Sequence, residues 1–401
     1  MKKLKAIGVL FASLVLTMMF TSLVSAAPAG LKQTKATQSS FRVEWDTTGT
    51  STYYVAVSYD GGVTYNAPEK TSSPYKEIYN LNAGATYYVK VSADGVDYCA
   101  PIDVVTIPTS VSSSTLKQTN ATTTTGTFTW GAVSGATGYD FYVSPDNNYS
   151  NLAYAKTVNT NSATANLSAN NVVVAVKAFR KSSSGYKAVS STVNAYSHSN
   201  KLIPGKSKKP TTNKSVYSNG YYPGGKRINI ACPYSYGEYD GWQVQYCKYN
   251  GKGKKTVSSL SSNFANIPVN TNMFYKVRTR AYVNINGSKK YGAWSAYNII
   301  CQDQTYGSSY QNKSTVGSNK VKITWKKVKG AKNYTVYMST SKTSGFKKIT
   351  TTKKRYVTVS KFKKKSLKKG TYYYYYIVAN RKVGKKTYKS GKEYVRYIYF
   401  Y

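Results

Sequence analysis

Side chains that could carry out acid–base chemistry are scarce in this sequence. Its 401 residues include one histidine, His198, and only 14 aspartates and glutamates. Enzymes usually depend on a histidine, carboxylate, lysine or cysteine whose pKa is tuned by its surroundings. His198 lies in a serine-rich stretch without a nucleophile-elbow or oxyanion-type glycine motif. We therefore predict that the protein is not an enzyme, and a triad built around His198 is the catalytic alternative.

The carboxylates do not suggest a catalytic pair or a metal site. Glu44 and Asp46 share one solvated face of a predicted strand, where no apolar surroundings separate their pKa values. Asp60-Gly61-Gly62 is typical of a hairpin turn rather than a calcium loop. No phosphate-binding glycine loop, dinucleotide fingerprint or His-rich metal spacing occurs. We predict no cofactor and no metal.

The four cysteines do not form a metal or redox motif. Cys99 stands alone in the first part of the chain, whereas Cys232, Cys247 and Cys301 all lie in the segment of residues 207–301. No C-x-x-C occurs. At most one disulfide is expected within the later segment, and the spacing leaves its pairing open.

The N-terminus has the order of a secretory signal peptide. Lys2, Lys3 and Lys5 precede an apolar run over residues 6–20, and small residues follow up to Ala26 and Ala27. We predict a signal peptide over residues 1–26. Because no second apolar stretch of spanning length follows, we expect no transmembrane segment. The sequence indicates a secreted protein that is extracellular or associated non-covalently with a cell wall.

The remaining chain shows the pattern of β-strands and a long repeat. Short runs of alternating apolar and polar residues recur between Gly, Asn, Ser and Thr turns. The segment from Leu31 to Thr37 returns from Leu116 to Thr122, and Trp45 returns as Trp130 after about 85 residues. A third instance ends on Trp325. A tryptophan that closes an inward-facing row of a strand is a core anchor.

Three patterns together resemble fibronectin type III domains. The predicted B strand ends in tryptophan, a Gly-Ala-x-x-Tyr segment begins strand C, and a Leu-x-x-Gly corner precedes a tyrosine-led strand, as in Leu81-x-x-Gly84-x-x-Tyr87. The resemblance is to the bacterial secreted type with tandem domains. It implies an all-β chain of immunoglobulin-like sandwiches, each with two antiparallel sheets. The second copy has Val172 at the corner tyrosine, and the third has Trp242 in place of the strand-C tyrosine.

The chain is therefore divided into four modules after the signal peptide. The third, which also carries Cys232 at the tryptophan position, is a divergent member. The predicted modules are 27–108, 109–206, 207–301 and 302–401.

Charge is concentrated in the last module. The chain has a formal net charge of +43. The first module contains 6 basic and 8 acidic residues, and the last contains 26 basic and 2 acidic residues. So many like charges repel each other and destabilise a compact domain, which indicates that an anionic partner neutralises them. The family topology brings one group of lysines to a single pole, and we predict that they contact a polyanion: Lys342, Lys347, Lys348, Lys363, Lys364, Lys365, Lys368 and Lys369.

Tyrosine is the second excess of the last module. If Tyr373 and Tyr375 face the core, their neighbours face outward. We predict an aromatic platform of four residues that could stack on sugar rings or nucleobases: Tyr337, Tyr372, Tyr374 and Tyr376. Both surfaces have simpler interpretations, since lysine solvates a surface and guards edge strands, and tyrosine suits exposed sheets.

These patterns predict a binding or adhesion protein. The basic module would dock on an anionic cell-wall or matrix polymer, such as a teichoic acid or an acidic polysaccharide. Modules 1 and 2 could bind a second ligand, either a protein or a carbohydrate. Nucleic acid is a less favoured partner of the protein. The alternative is a passive spacer or accessory protein of an extracellular polysaccharide-processing system.

Overall fold

The computed structural model describes nine segments of the chain: residues 27–146, 148–191, 196–197, 200–211, 227–270, 272–301, 312–317, 320–390 and 395–400. The predicted signal peptide over residues 1–26 and His198 lie outside them. Within them, helix is limited to two single 3-10 turns, Ser113–Thr115 and Tyr149–Asn151. No described helix is long and apolar enough to cross a membrane.

The first pair of sheets, called sandwich 1, lies between Lys32 and Val105. Its strands are β1 (Lys32–Ala36), β2 (Phe41–Glu44), β3 (Tyr53–Ser58), β4 (Glu69–Thr71), β5 (Tyr75–Ile78), β6 (Thr86–Ser92) and β7 (Ile102–Val105). One antiparallel sheet has the order β1-β2-β5 and the other β4-β3-β6-β7. Buried side chains of both sheets form one core, in which Phe41 and Val43 meet Val55 and Val89.

Sandwich 2 repeats this order from Lys117. Its strands are β8 (Lys117–Ala121), β9 (Thr125–Thr129), β10 (Gly138–Val143), β11 (Ala153–Val158), β12 (Ser162–Asn166), β13 (Val174–Lys181), β14 (Lys187–Val189) and β15 (Tyr196–Ser197). The sheets are β12-β9-β8 and β11-β10-β13-β14, and β15 also pairs with β13. Val172 is buried in the core, at the position that holds tyrosine in the other sandwiches.

Sandwich 3 lies between Arg227 and Cys301. Its strands are β16 (Arg227–Ala231), β17 (Gly241–Lys248), β18 (Lys255–Leu260), β19 (Phe264–Pro268), β20 (Phe274–Ile285), β21 (Ser288–Tyr291) and β22 (Asn298–Cys301). They form a two-stranded sheet, β16-β19, and a larger sheet, β18-β17-β20-β21, in which β22 also pairs with β20. Trp242 is fully buried on β17, and its indole N–H donates to the carbonyl oxygen of Ser262 at 2.9 Å.

Sandwich 4 lies between Asn312 and Phe400. Its strands are β23 (Asn312–Val316), β24 (Val321–Trp325), β25 (Asn333–Ser339), β26 (Lys347–Thr352), β27 (Tyr356–Val359), β28 (Lys361–Phe362), β29 (Lys365–Ser366), β30 (Thr371–Val383), β31 (Lys386–Lys389) and β32 (Arg396–Phe400). The sheets are β23-β24-β27 and β26-β25-β30-β31, with β32 also on β30. A separate two-stranded hairpin joins β28 to β29.

The topology confirms the prediction of an all-β tandem of immunoglobulin-like sandwiches. In each sandwich a C strand (β3, β10, β17, β25) lies beside an F strand (β6, β13, β20, β30) in the larger sheet. The module boundaries stay predictions. No disulfide joins the four cysteines, each of which lies in a described segment.

The predicted tryptophans are core anchors that pack edge-on against the first tyrosine of strand C. The ring pairs, with centroids 5.4, 5.4 and 5.5 Å apart, are Trp45–Tyr53, Trp130–Tyr139 and Trp325–Tyr334. The hydroxyl of each of these tyrosines accepts a hydrogen bond from a backbone N–H of the loop before strand C, at 2.9–3.0 Å.

Successive sandwiches contact each other through the same strand position. Arg180, two residues after Ala178 on β13, donates to Thr86 of sandwich 1 at 2.7 Å and to the carbonyl oxygen of Gly135 at 2.7 Å. Arg381, two residues after Ala379 on β30, donates to the carbonyl oxygens of Gly330 and of Tyr249 in sandwich 3.

The junction between sandwiches 2 and 3 is apolar at that position. Val283 follows Ala281 by two residues and is buried with Ala121 and Ile285. An ion pair between Lys201 and Asp240, at 2.6 Å, lies beside it.

Candidate functional site

The predicted lysine group lies at one end of sandwich 4. The C strand β25 ends at Ser339, which pairs with Tyr374 near the start of the F strand β30. The loop after β25, which carries Lys342, and the corner before β30 are therefore at the same end. The side chains of all eight predicted lysines are exposed: Lys342, Lys347, Lys348, Lys363, Lys364, Lys365, Lys368 and Lys369.

The junction between sandwiches 3 and 4 partly occupies a second basic group, which the family topology places at the opposite pole of the last module. Its members are Lys326, Lys327, Lys329, Lys332, Arg381, Lys382, Lys385 and Lys386. Arg381 donates into sandwich 3, and the backbone of Lys329 forms two hydrogen bonds, with Asn272 and Phe274. Phe274 also belongs to the core of sandwich 4. Of the two ends, only the first is outside this junction.

Acidic groups are absent from the described residues of sandwich 4. The two acidic residues of the last hundred, Asp303 and Glu393, lie outside the described segments. The ion pairs in which both partners are described residues lie outside sandwich 4, such as Arg42–Glu44 at 2.8 Å and Lys187–Asp140 at 2.6 Å. The lysines at this end therefore have no described carboxylate in their own sandwich to neutralise them.

One turn at the lysine end lacks the carboxylate that the corresponding turns of sandwiches 1 and 2 contain. In sandwiches 1 and 2 the serine at the end of strand C donates to the aspartate two residues later, Ser58 to Asp60 at 2.7 Å and Ser144 to Asp146 at 2.8 Å. In sandwich 4, Ser339 instead donates to the carbonyl oxygen of Ser344 at 2.6 Å. The turn forms without an acidic side chain, and Lys342 lies within it.

Asp60 itself belongs to a hairpin turn. Its carboxylate accepts hydrogen bonds from the side chain and backbone of Thr64, from Ser58 and from the backbone of Val63. These bonds, led by the one from the Thr64 hydroxyl, lower the pKa of Asp60 to about 2. Among the described residues, no three His, Cys, Asp or Glu side chains lie together as metal ligands.

The predicted aromatic platform alternates as expected but divides into two parts. Tyr373 and Tyr375 are buried in the core, so Tyr372, Tyr374 and Tyr376 face outward. Tyr376, however, is only 7% exposed. The prediction of a continuous solvent-facing row was wrong at this residue.

The closed part of the platform is a packed aromatic cluster. The rings of Tyr376 and Tyr337, which are directly opposite each other on β30 and β25, stack with centroids 4.8 Å apart. Phe346, in the loop between β25 and β26, packs on Tyr376 with ring centroids 4.9 Å apart. Burial raises the pKa of the Tyr376 hydroxyl. These rings offer little free surface for a ligand.

The open part of the platform lies next to the last strand. Tyr372 is 49% exposed and Tyr397 is 65% exposed. Tyr372 contacts Tyr374, Tyr397 and Tyr399, with ring centroids 6.4, 5.7 and 4.7 Å apart. Tyr397 and Tyr399 were not among the predicted platform residues. Their alternation with the buried Ile398 was the available signal.

Sandwich 3 carries a cation–aromatic ladder that was not predicted from the sequence. The guanidinium of Arg278 lies over Trp294 and Tyr297, at 4.7 and 4.8 Å. That of Arg280 lies over Tyr291 and Trp294, at 4.0 and 4.4 Å. Two alternate residues of β20 thus pack against aromatic rings of β21 and of the segment after it. Both guanidinium groups are engaged within sandwich 3 by these contacts.

No family model matches the chain, and no curated protein matches it. Among solved structures, the FN1–FN3 domains of chicken CNTN1 match at 14% sequence identity with a TM-score of 0.27. That match covers 69% of this chain and 98% of the other.

Proposed function

We propose that this protein is a secreted, non-catalytic binding protein whose sandwich 4 docks on an anionic polymer of a bacterial cell wall or matrix, such as a teichoic acid or an acidic polysaccharide. The observation that carries the proposal is the lysine end of sandwich 4. Eight exposed lysines meet there, in a sandwich whose described residues include no carboxylate.

Polyanion binding follows from this distribution of charge. Ammonium groups that pair with a polyanion release the counterions condensed on it, which makes the affinity strong at low salt and steeply salt-dependent. The same groups repel each other in the free protein, so a bound polyanion also relieves self-repulsion. Both effects favour the bound state.

Sandwich 1 is organised differently. Its basic and acidic side chains neutralise each other in pairs, among them Arg42–Glu44 and Lys76–Glu69. Its surface is therefore free to project from a charged polymer to which sandwich 4 is bound. We place a second ligand, protein or carbohydrate, on sandwiches 1 and 2.

Cosedimentation with purified Gram-positive cell walls tests the proposal. Wild-type protein should sediment with walls at low salt, be released as salt is raised, and lose binding when teichoic acid is extracted. A variant with all eight lysines of the group changed to glutamine should lose most of this binding. Equal sedimentation before and after extraction would exclude teichoic acid as the ligand, and no sedimentation with either preparation would refute wall docking.

A matched variant separates position from total charge. Eight other exposed lysines of sandwich 4 are changed to glutamine, which removes the same charge outside the predicted group: Lys326, Lys327, Lys332, Lys353, Lys382, Lys385, Lys386 and Lys389. This variant should retain the larger share of wall binding. If the two variants lose wall binding equally, binding depends on the total charge of sandwich 4 and not on the position of the lysines.

The junctions favour a spacer as the second candidate function. Arg180 and Arg381 each bond to both of the sandwiches that they join, which limits bending between them. A spacer would show no selectivity among polyanions of matched charge density, whereas a docking protein would prefer one of them.

A further inference from the structure

The hairpin formed by β28 and β29 distinguishes sandwich 4 from the other three. Leu167 and Val269 follow the strands β12 and β19 directly, and both are buried. In sandwich 4 the corresponding buried residue, Leu367, is separated from β27 by the hairpin. The inserted segment, residues 361–366, reads Lys-Phe-Lys-Lys-Lys-Ser.

The turn of this hairpin has an unusual backbone. Lys361 pairs with Ser366 and Phe362 with Lys365, which leaves a two-residue loop of Lys363 and Lys364. Their φ angles are 50° and 66°. Positive φ at both central residues is the geometry of the type I′ turn, for which Asn-Gly is the preferred sequence because side chains with a Cβ are strained there.

The rest of the chain follows that preference. Among the described residues other than glycine, the remaining positive φ angles all belong to asparagine: Asn80, Asn171, Asn272 and Asn286. Lys363 and Lys364 are the exceptions within the described segments, and they are adjacent. Strain of this kind persists where the surrounding structure holds it, and it clusters at functional sites.

The surroundings do hold the hairpin. Phe362 and Leu367, on either side of its tip, are 7% and 8% exposed. Phe362 packs edge-on against Tyr373, whose hydroxyl accepts a hydrogen bond from the backbone of Lys368 at 3.0 Å. The tip is thus anchored in the core while both of its lysine side chains are exposed. The Lys363 ammonium lies 5.5 Å from the Phe362 ring.

The charges of the hairpin come from lysine alone. Arginine presents a planar fork that binds both carboxylate and phosphate groups bidentately, whereas the lysine ammonium is a compact point charge with three rotatable donors. Lysine is a common ligand of phosphate in this form. The four lysines of the hairpin therefore present several such point charges to the oxygens of a phosphate group.

We propose that Lys363 and Lys364, at the tip of the β28–β29 hairpin, form the primary contact of this protein with the phosphate groups of an anionic polymer. The inference rests on the proposed function and names the place and the anion chemistry of the docking surface. It requires that these two lysines contribute more to polymer binding than two other exposed lysines of sandwich 4 that carry the same charge.

The test replaces the tip by the residues that its backbone prefers. The double variant Lys363→Asn/Lys364→Gly, in the full chain, keeps the turn and should melt at the wild-type temperature or above it. The matched control Lys382→Gln/Lys385→Gln removes the same charge from exposed positions on and after β30. Binding is measured by titration with inorganic polyphosphate and with polygalacturonate, a carboxylate polymer, across a salt series.

The tip variant should lose affinity for polyphosphate on the order of tenfold at low salt, with a shallower salt dependence, and the control should lose much less. Equal losses in the two variants would overturn the inference and leave polyanion docking intact. Tighter wild-type binding to polygalacturonate at matched charge density would overturn the assignment of phosphate. Tighter binding to a single-stranded DNA oligonucleotide than to polyphosphate would replace it by nucleic acid. Failure of wild type to bind any of these polymers would refute the proposed function itself.

Discussion

Arg381 of sandwich 4 donates from Nη2 to the backbone carbonyl oxygen of Tyr249 in sandwich 3 at 3.3 Å, and its guanidinium lies 4.9 Å from the centroid of the Tyr249 ring. The same side chain bonds to Gly330 in its own sandwich at 2.9 Å. One residue thus joins two sandwiches, and Arg180 does so between sandwiches 1 and 2. A docked sandwich 4 would transmit its orientation to the chain before it.

Replacing Arg381 by alanine should loosen the junction between sandwiches 3 and 4. The variant loses two hydrogen bonds and a ring contact, which together stabilise the junction by about 1–3 kcal/mol. Fluorescence energy transfer between dyes on the two sandwiches should report a broader range of distances. Lys382→Ala, at the exposed neighbouring position, is the control and should leave the distribution unchanged. An unchanged distribution in Arg381→Ala would show that the shared core around Phe274 fixes the junction alone.

Tyr373→Phe should destabilise sandwich 4. Its hydroxyl accepts the backbone N–H of Lys368 at 3.0 Å, and its removal leaves that donor without its partner, at a cost of about 1–2 kcal/mol. Tyr372→Phe, one residue earlier on the outer face, should change the free energy of unfolding by less than about 0.5 kcal/mol. Urea denaturation of both variants makes the comparison. Similar effects from the two substitutions would contradict a structural role for the corner hydroxyl.

Tyr376→Ala and Tyr397→Ala should separate the two parts of the predicted platform. Tyr376 is 7% exposed and packed between Tyr337 and Phe346, so its truncation should cost about 3 kcal/mol of stability. Tyr397 is 65% exposed and should cost less than about 1 kcal/mol. Thermal unfolding distinguishes the two. A small effect of Tyr376→Ala would mean that the closed cluster is not part of the packed structure.

Sandwich 1 should lose stability in acid in a way that depends on Asp60. Hydrogen bonds to its carboxylate lower the pKa to about 2 in the folded state, below the ordinary value of 3.8. The stabilisation is therefore complete above the ordinary pKa and is lost as pH falls through the folded one. Between pH 5 and pH 2, Asp60→Asn should show a weaker dependence of the unfolding free energy on pH than wild type. Asp94, whose pKa is also lowered to about 2, should account for part of the remaining dependence. An identical pH profile in Asp60→Asn would contradict the lowered pKa.

Much of the fold could be predicted because its signals are local. Alternation of apolar and polar residues identifies half-buried strands, and the repeat of Trp45 as Trp130 identifies units of domain length. Trp242 and Val172 also occupy the positions that the sequence indicated. The lysine end followed from topology, since the sequence order of strands decides which loops share an end.

The features that sequence analysis missed depend on contacts between distant strands. Period-two alternation assigned Tyr376 to the outer face, but its burial is decided by Tyr337 and Phe346, which are far away in sequence. Tyr397 and Tyr399 join the open patch because β32 pairs with β30. Composition also does not reveal that Lys363 and Lys364 adopt positive φ, since lysine gives no turn signal.

The sequence by itself determined the β-sandwich class, the repeat, the inward tryptophans and the gradient of charge toward the C-terminus. Only the tertiary structure decided which tyrosines stay open, which cations are used in junctions and which lysines form a strained hairpin tip. The reason is that the alternation of faces is a property of one strand, whereas exposure, pairing and strain depend on the neighbours that folding brings to it.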